Sequence, residues 1–229
     1  MVAVKAVLFD LDGTLVDSLP ELYEGVRRSL EELGFPVPEK EAVRDMIGRG
    51  VSVLVDRLRS HLQLTDAELT HAALLSLLVK HWAQTNGSYT TFYPGVLDGI
   101  AALRAADIRV GLVTNKWRDL TMEFLQARGI RELFDVVVAG DDCPHNKPAP
   151  DMLLKAIETL KVDAAQTIMV GDSRNDALAA RAAGIRVALV ETGYNEGEAI
   201  ALWAREAGFN RCLPSAKKVC DLVLAGQFQ

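Results

Sequence analysis

The stretch VLFDLDGTLVDS, residues 7–18, runs from an apolar segment directly into acidic residues. The overlapping run VKAVLF (4–9) is short, continuously apolar and rich in β-branched residues, which is typical of a strand buried on both faces. Asp10 and Asp12 place two like charges at the end of this strand. Charge at the edge of a core is costly unless something binds it. The stretch therefore predicts a buried first strand that leads into a ligand site.

Apolar runs of the same kind recur along the chain, at 108–114, 135–140, 167–172 and 185–190. Segments of helical periodicity lie between them, at 96–106, 119–129, 151–160 and 174–184. Strands that alternate with helices imply right-handed crossovers and a parallel sheet covered on both sides. The predicted fold class is α/β, with a Rossmann-like doubly wound parallel sheet as its core.

Three of the predicted strands end in a polar residue. Asp10, Thr114 and Asp172 each stand at the carboxyl end of an apolar run. Ligands of such sheets bind at the carboxyl ends of the strands. We therefore expect these three segments to converge on one crevice.

A helical insert separates the first strand from the others. The segments ELYEGVRRSLEELG and DAELTHAALLSLLVKHWAQ have amphipathic helical patterns, and no clear strand lies between them. This predicts a small α-helical cap domain at 19–89, inserted into an α/β catalytic core formed by 1–18 and 90–229, with TTFYPG (90–95) as the return linker. The leucine-rich stripe from Leu69 to Leu78 is expected in the cap core, with a dimer surface as the alternative.

The amino-acid composition limits the kinds of protein that this chain can be. Of 229 residues, 49% are hydrophobic and 24% are charged, the balance of a globular protein with a sizeable core. The net charge of −6 argues against nucleic acid as a partner, because that needs a basic face. The N-terminus is apolar only as far as Phe9, which predicts neither a signal peptide nor a membrane span.

Cysteine and histidine positions do not suggest a disulfide framework or a transition-metal site. The cysteines are odd in number and lack the spacing of metal ligands: Cys143, Cys212 and Cys220. This indicates a reducing compartment, and we expect a cytoplasmic protein. The histidines also lack such spacing and are expected at or near the surface: His61, His71, His81 and His145.

The first acidic pair has a functional and a purely local interpretation. In the functional one, Asp10 and Asp12 share a proton or bind a cation. In the local one, they form a solvated turn after the strand. Gly13 and Thr14 then supply a flexible bend and a hydroxyl beside backbone that can approach an anion.

A second acidic pair follows another predicted strand, in VGDSRND. Asp172 and Asp176 suit Mg²⁺, which prefers hard oxygen ligands. The alternative is local, with Asp172 or Ser173 as a helix cap and Asp176 as a first-turn acid.

The chain contains, in this order, the motifs DLDGT, TNK, HNKPAP with its lysine before prolines, and GDSRND. These four motifs and their order resemble those of the haloacid dehalogenase superfamily of aspartyl phosphatases. Each motif alone is a weak signal, whereas four in order at strand ends are a strong one. The resemblance covers essentially the whole chain, and the helical insert is similar to the small cap of that family.

The resemblance implies a mechanism. Asp10 would be the nucleophile that forms an aspartyl-phosphate, and Asp12 would protonate the leaving group and then deprotonate the attacking water. Mg²⁺ would be held by the carboxylates of Asp10 and Asp172 and by the main-chain carbonyl of Asp12.

The same resemblance implies the phosphate contacts. Thr114, with the Asn115 amide, would bind a phosphate oxygen, and Lys147 would screen Asp10 and the transferring phosphoryl group. The alternatives are a strand end that turns at Thr114 and Asn115, and an ordinary loop lysine at Lys147.

Within the superfamily the chain most resembles the bacterial phosphoglycolate phosphatases, in TNK (114–116), AGDD (139–142) and TGYNEGEAI (192–200). It departs from them at Trp117, where proline is expected. The implied substrate is 2-phosphoglycolate, a small phosphorylated metabolite with a second anion.

A cap residue is expected to bind that second anion. Arg49, between glycines in the loop MIGRGVSVLV (46–55), could capture the carboxylate, or it could be a solvent-facing arginine in a turn. The alternative functions are another phosphatase of the superfamily, a pyrophosphatase, a β-phosphoglucomutase-like enzyme or a non-catalytic phosphate-binding module. Both a monomer and a homodimer are compatible with the sequence.

Overall fold

A computed structural model describes residues 3–85 and 87–228. Its strands are β1 (Ala6–Phe9), β2 (Val16–Asp17), β3 (Thr91–Phe92), β4 (Arg109–Val113), β5 (Val136–Val138), β6 (Thr167–Gly171), β7 (Arg186–Val190) and β8 (Cys212–Leu213). Its helices are α1 (Leu19–Leu33), α2 (Lys40–Met46), α3 (Val51–His61), α4 (His71–Thr85), α5 (Val96–Ala105), α6 (Arg118–Ala127), α7 (Asp151–Leu160), α8 (Arg174–Ala182), α9 (Ile200–Glu206) and α10 (Ala216–Leu224).

The centre of the fold is a six-stranded sheet in the order β5-β4-β1-β6-β7-β8. Every neighbouring pair in it is parallel. This confirms the predicted α/β class with a Rossmann-like parallel sheet.

Strand β1 is buried on both faces, as its continuous apolar sequence predicts. Val7 and Phe9 belong to the apolar cluster on one side of the sheet, whereas Ala6 and Leu8 belong to the cluster on the other side. Successive side chains of a strand point to opposite faces, so the four residues contribute to two cores. All four are fully shielded from solvent.

The helices α1 to α4 pack around an apolar cluster of their own. Leu30, Leu58, Leu74 and Leu78 are fully buried in it. Leu69 also lies there, so the leucine-rich stripe faces the interior of the helical insert.

The two chain segments that connect the helical insert to the sheet pair with each other. Val16 lies opposite Phe92, and Asp17 lies opposite Thr91, in an antiparallel ribbon formed by β2 and β3. The sequence predicted only a linker here, because strands of two residues are too short to show a period. Strand β8, which also has two residues, was not predicted for the same reason.

Three local predictions are corrected. Helix α4 begins at His71 rather than near residue 66, because Thr65 and Glu68 close a separate turn through their side chains. The loop around Arg49 is short, since α2 ends at Met46 and α3 starts at Val51.

His81 is the third correction. It is buried, with its Nε2 atom 2.9 Å from Oε2 of Glu32. The sequence predicted a ring at the surface or at its boundary, whereas the side-chain contact with α1 buries it.

None of the helices within 3–85 and 87–228 combines the length and hydropathy that crossing a bilayer requires.

Candidate active site

The polar strand ends meet in one cleft. Strand β1 lies between β4 and β6 in the sheet, so Asp10, Thr114 and Asp172 are neighbours at its carboxyl edge. All three line the same cleft, as the sequence predicted. The opposite wall comes from the helical insert and is apolar: Leu22, Ile47, Val51, Leu54 and Trp82.

Three carboxylates crowd the floor of this cleft. Asp10, Asp172 and Asp176 each offer an oxygen atom, and these atoms lie within 4.8 Å of one another. Burial raises the pKa of Asp10 to about 7, against the opposing effect of Lys147. Burial, reinforced by the negative charges of Asp176 and Asp10, raises the pKa of Asp172 well above its ordinary value.

Three carboxylates thus share this buried floor, and the cation that contacts them there is Lys147, which pairs with Asp10 and Asp176. Buried hard oxygen donors in excess of their counter-charge are the chemistry that a divalent cation such as Mg²⁺ requires. The cluster therefore fits a divalent metal.

Lys147 is a fixed cation behind the cluster. Its Nζ atom lies 3.0 Å from Oδ1 of Asp10 and 2.7 Å from Oδ1 of Asp176. It also donates to the carbonyl oxygen of Val113 at 2.8 Å. Burial opposes the charge of Lys147, but the negative charges of Asp10 and Asp176 raise its pKa to about 12.

The side chain of Asn115 holds the loop that carries Lys147. Its Nδ2 atom donates to the Lys147 carbonyl at 2.9 Å, and its Oδ1 atom accepts from the Lys147 N–H at 3.0 Å. Within 3–85 and 87–228 the backbone N–H of Asn115 has no hydrogen-bond acceptor, so it is available to a ligand. The hydroxyl oxygen of Thr114 accepts from the Lys116 N–H at 3.2 Å, which leaves its proton for a ligand.

The two oxygens of Asp10 differ. Oδ1 accepts from the Leu11 N–H at 2.7 Å and contacts Lys147. Within 3–85 and 87–228, no group donates a hydrogen bond to Oδ2. One oxygen is thus anchored while the other is free to react.

Asp172 is held by several separate segments. The Thr14 hydroxyl donates to Oδ1 at 2.6 Å, and the Tyr194 N–H donates to Oδ2 at 2.7 Å. A Cβ atom on Gly13 or on Gly193 would collide with the same carboxylate. Gly13 has a φ of +85°, which is accessible to glycine without strain. Thr14 was predicted beside the anion, but its hydroxyl is used to orient Asp172.

Asp176 has a local and a long-range role. Its Oδ2 atom accepts from the backbone and hydroxyl of Ser173, which forms a capping box at the start of α8. Its Oδ1 atom binds Lys147. Sequence reasoning foresaw the cap but not the contact with Lys147.

Arg49 is not brought together with the carboxylates. Its Nε atom donates to Oε1 of Glu196 at 2.9 Å, and Arg57 donates to Oε2 of the same residue at 2.8 Å. Gly48 and Gly50 line the cleft on either side of it, whereas the Arg49 side chain is about half exposed.

Two residues of the site escaped sequence reasoning, although both lie in quoted motifs. Lys116, the last residue of TNK, lines the cleft with its Nζ atom 3.4 Å from Oδ1 of Asp12. Tyr194, within TGYNEGEAI, donates its hydroxyl proton to Asp17 at 2.7 Å and accepts from the N–H of Leu19 at 2.9 Å. It joins Asp172 to the start of α1.

Comparison with known proteins places the chain in a family. The family model for haloacid dehalogenase-like hydrolases matches residues 7–190, which include every carboxylate of the cluster. The chain belongs to the haloacid dehalogenase-like hydrolase family. It is therefore an enzyme of the hydrolase class, as the motif order predicted.

The relatives of this haloacid dehalogenase-like hydrolase share most of its length. It is 45% identical over 190 residues to a plasmid-borne phosphoglycolate phosphatase of Cupriavidus necator, covering 82% of this chain and 81% of that protein. It is 42% identical to a phosphoglycolate phosphatase of Nitrosospira multiformis, covering 85% and 86% respectively. A crystal structure of a predicted phosphoglycolate phosphatase from Haemophilus somnus superposes with a TM-score of 0.88 at 28% identity, covering 97% of this chain and 99% of that one.

Proposed function

We propose that this hydrolase is a Mg²⁺-dependent phosphomonoesterase that converts 2-phosphoglycolate to glycolate and phosphate through an aspartyl-phosphate on Asp10. The observation that carries the proposal is the asymmetry of Asp10, which lines the cleft: its Oδ1 is anchored by Leu11 and Lys147, whereas its Oδ2 accepts no hydrogen bond from the described residues. In this proposal 1–18 and 90–229 form the catalytic core, and 19–89 form the cap domain.

The metal would be held by the carboxylates of Asp10 and Asp172 and by the main-chain carbonyl of Asp12. A bound Mg²⁺ supplies positive charge that neutralises the phosphate and offsets the repulsion among the carboxylates. The anchoring of Asp172 by Thr14 and Tyr194 supports this assignment, because ligating carboxylates need partners that fix their orientation.

Each protein group in the cleft has a distinct part in the reaction. The free oxygen of Asp10 attacks phosphorus, and the bond from phosphorus to the ester oxygen breaks. Asp12 donates a proton to that oxygen, which leaves as the glycolate hydroxyl. Asp12 then accepts a proton from the water that attacks the aspartyl-phosphate, releasing phosphate and restoring the Asp10 carboxylate.

The charge of the phosphoryl group is matched by donors that are already in place. Lys147 lies beside Asp10, the Thr114 hydroxyl retains its proton, and the Asn115 backbone N–H has no acceptor among the described residues. Fixed donors stabilise developing charge without reorganisation during the reaction.

The substrate assignment rests on the relatives. Those named phosphoglycolate phosphatase match this chain at up to 45% identity across most of their length. The apolar wall of the cleft, which includes Leu54 and Trp82, limits the space beside the reacting group and favours a small phosphate ester.

Phosphate release from 2-phosphoglycolate tests the proposal. We expect turnover with Mg²⁺, loss of turnover with EDTA, and no turnover by Asp10→Asn. Asp98→Asn, at an exposed position in α5, is the matched control and should keep wild-type activity. Normal turnover by Asp10→Asn would contradict the mechanism, whereas turnover of other esters with none of 2-phosphoglycolate would contradict only the substrate.

A further inference from the structure

The cleft contains one cationic side chain that the proposed mechanism does not use. Among the described residues that line it, Lys116 is the one lysine or arginine. Lys147 lies behind the carboxylates and is almost completely buried. Arg49 and Arg57 are both paired with Glu196.

Lys116 has a fixed backbone and a loosely held ammonium group. Its carbonyl accepts from the Gly140 N–H at 2.8 Å, and its own N–H donates to the Thr114 hydroxyl at 3.2 Å. Its Nζ atom lies 3.4 Å from Asp12, the sole polar partner of Nζ within 3–85 and 87–228. An ammonium group has three donors, so two of them are available to a ligand.

The position of Lys116 next to Asp12 indicates which part of a substrate it would contact. In the proposed function Asp12 protonates the ester oxygen, so a group that touches Asp12 in the cleft lies beside the leaving group. The leaving group of 2-phosphoglycolate carries its carboxylate one carbon beyond that oxygen.

We infer that Lys116 binds the carboxylate of the substrate and thereby sets a preference for phosphate esters whose leaving group is anionic. This rests on the proposed function and adds a specificity-determining residue to it. Lys116 then bridges the substrate carboxylate and Asp12, and the anchored backbone of 114–116 keeps the ammonium group at the leaving-group end of the cleft.

Arg49 is the competing candidate for this contact. Its guanidinium already donates to Glu196 at 2.9 Å, so it would have to leave an ion pair to reach the substrate. Lys116 needs no such exchange, because its contact with Asp12 is long and occupies one donor.

The test compares two esters of similar size that differ in charge, 2-phosphoglycolate and 2-hydroxyethyl phosphate. Lys116→Met should lower kcat/KM for 2-phosphoglycolate by roughly 10- to 100-fold relative to kcat/KM for the neutral ester, the range of one charge-assisted hydrogen bond. Any effect on Asp12 acts on both esters and cancels in this ratio. Lys116→Arg should retain the preference.

Lys80→Met is the matched control, since Lys80 also pairs with a carboxylate, Glu32, but lies in α4 outside the cleft. It should leave the ratio unchanged. Turnover of 2-hydroxyethyl phosphate reports that each variant is folded, and Lys116→Gln replaces Lys116→Met if the latter does not fold.

The outcomes separate this inference from the proposed function. A wild-type enzyme that hydrolyses neither ester overturns the proposed function and, with it, this inference. A wild-type enzyme that hydrolyses 2-phosphoglycolate with no preference over 2-hydroxyethyl phosphate overturns this inference alone. A wild-type preference that Lys116→Met and Lys116→Gln retain overturns the role of Lys116 alone. Loss of the preference in Arg49→Gln but not in the Lys116 variants would assign the carboxylate to Arg49.

Discussion

The Nζ atom of Lys147 lies 2.7 Å from Oδ1 of Asp176, and neither side chain exposes more than 1% of its surface. This buried ion pair fixes the lysine that also contacts Asp10. Without the Asp176 carboxylate, Lys147 would keep only Asp10 as an acidic partner among the described residues, although its charge is buried.

Asp176→Asn should therefore destabilise the protein by about 3 kcal/mol. This value is at the low end of the range for breaking a buried ion pair, because the substitution also relieves repulsion among the acidic residues. We expect kcat to fall as well, since Lys147 loses the group that positions it. Urea unfolding and steady-state kinetics measure the two effects. Asp221→Asn removes an exposed ion pair with Lys217 and is the control, for which little change is expected. Wild-type stability in Asp176→Asn would show that Lys147 does not depend on this contact.

Gly193→Ala should weaken metal binding. A Cβ atom at this position would collide with the carboxylate of Asp172, so that side chain must turn away from its place in the cluster. The Mg²⁺ concentration for half-maximal activity should rise by about tenfold, as for changes beside metal ligands. Gly99→Ala, whose Cβ would crowd Cys220 and Lys217 instead of a carboxylate, should leave the Mg²⁺ dependence unaltered. An unchanged Mg²⁺ requirement in Gly193→Ala would remove Asp172 from the proposed ligands.

Addition of Mg²⁺ should raise the Tm of the wild-type protein, and EDTA should reverse the rise. A ligand at 100 times its Kd stabilises the native state by about 2.7 kcal/mol. Differential scanning fluorimetry across a Mg²⁺ titration measures the shift. Asp172→Asn should abolish it, whereas Asp98→Asn should preserve it. Equal shifts in both variants would place the ion elsewhere.

The stability supplied by Glu24 should depend on pH. In α1 its carboxylate accepts hydrogen bonds from Arg27 and Arg28, and the bond from Arg27 is the main cause that lowers its pKa to about 2 from the ordinary 4.5. Because the folded-state pKa is the lower one, this stabilisation is complete above pH 4.5 and is lost as the pH falls towards 2.

Glu24→Gln should therefore lower the Tm by roughly 1–3 °C at pH 7, the effect of a partly exposed ion pair in a chain of this size. The difference from the wild type should shrink as the pH falls through the range from 4.5 to 2. Tm measurements in a pH series test this. Glu123→Gln, at an exposed position in α6 with no ion pair among the described residues, should match the wild type throughout. A Tm difference that is constant with pH would exclude the carboxylate charge as its origin.

The parallel sheet and the position of the cleft could be predicted because they depend on local pattern. A strand buried on both faces is a continuous apolar run, and the first polar residue after it marks its carboxyl end. Asp10, Thr114 and Asp172 were found in this way. The ribbon of β2 and β3 was missed, since its strands span two residues each and the paired residues are 74 and 76 positions apart.

The side-chain partners could not be predicted in the same way. Lys147 and Asp176 are 29 residues apart, and Arg49 and Glu196 are 147 apart. Nothing in the sequence around Arg49 indicates that its guanidinium will form an ion pair with Glu196, which lies 147 residues further along the chain. Lys116 was likewise visible within TNK, but its direction into the cleft follows from the backbone contacts of 114–116 and Gly140.

The parallel sheet, the edge at which the acidic residues gather and the order of the family motifs can all be read from the amino-acid sequence. The free oxygen of Asp10, the cation that lines the cleft and the arginine that is already paired become known only from the folded chain. Burial and strand ends depend on residues a few positions apart, whereas ion pairs and hydrogen bonds depend on distances between remote segments that folding brings together.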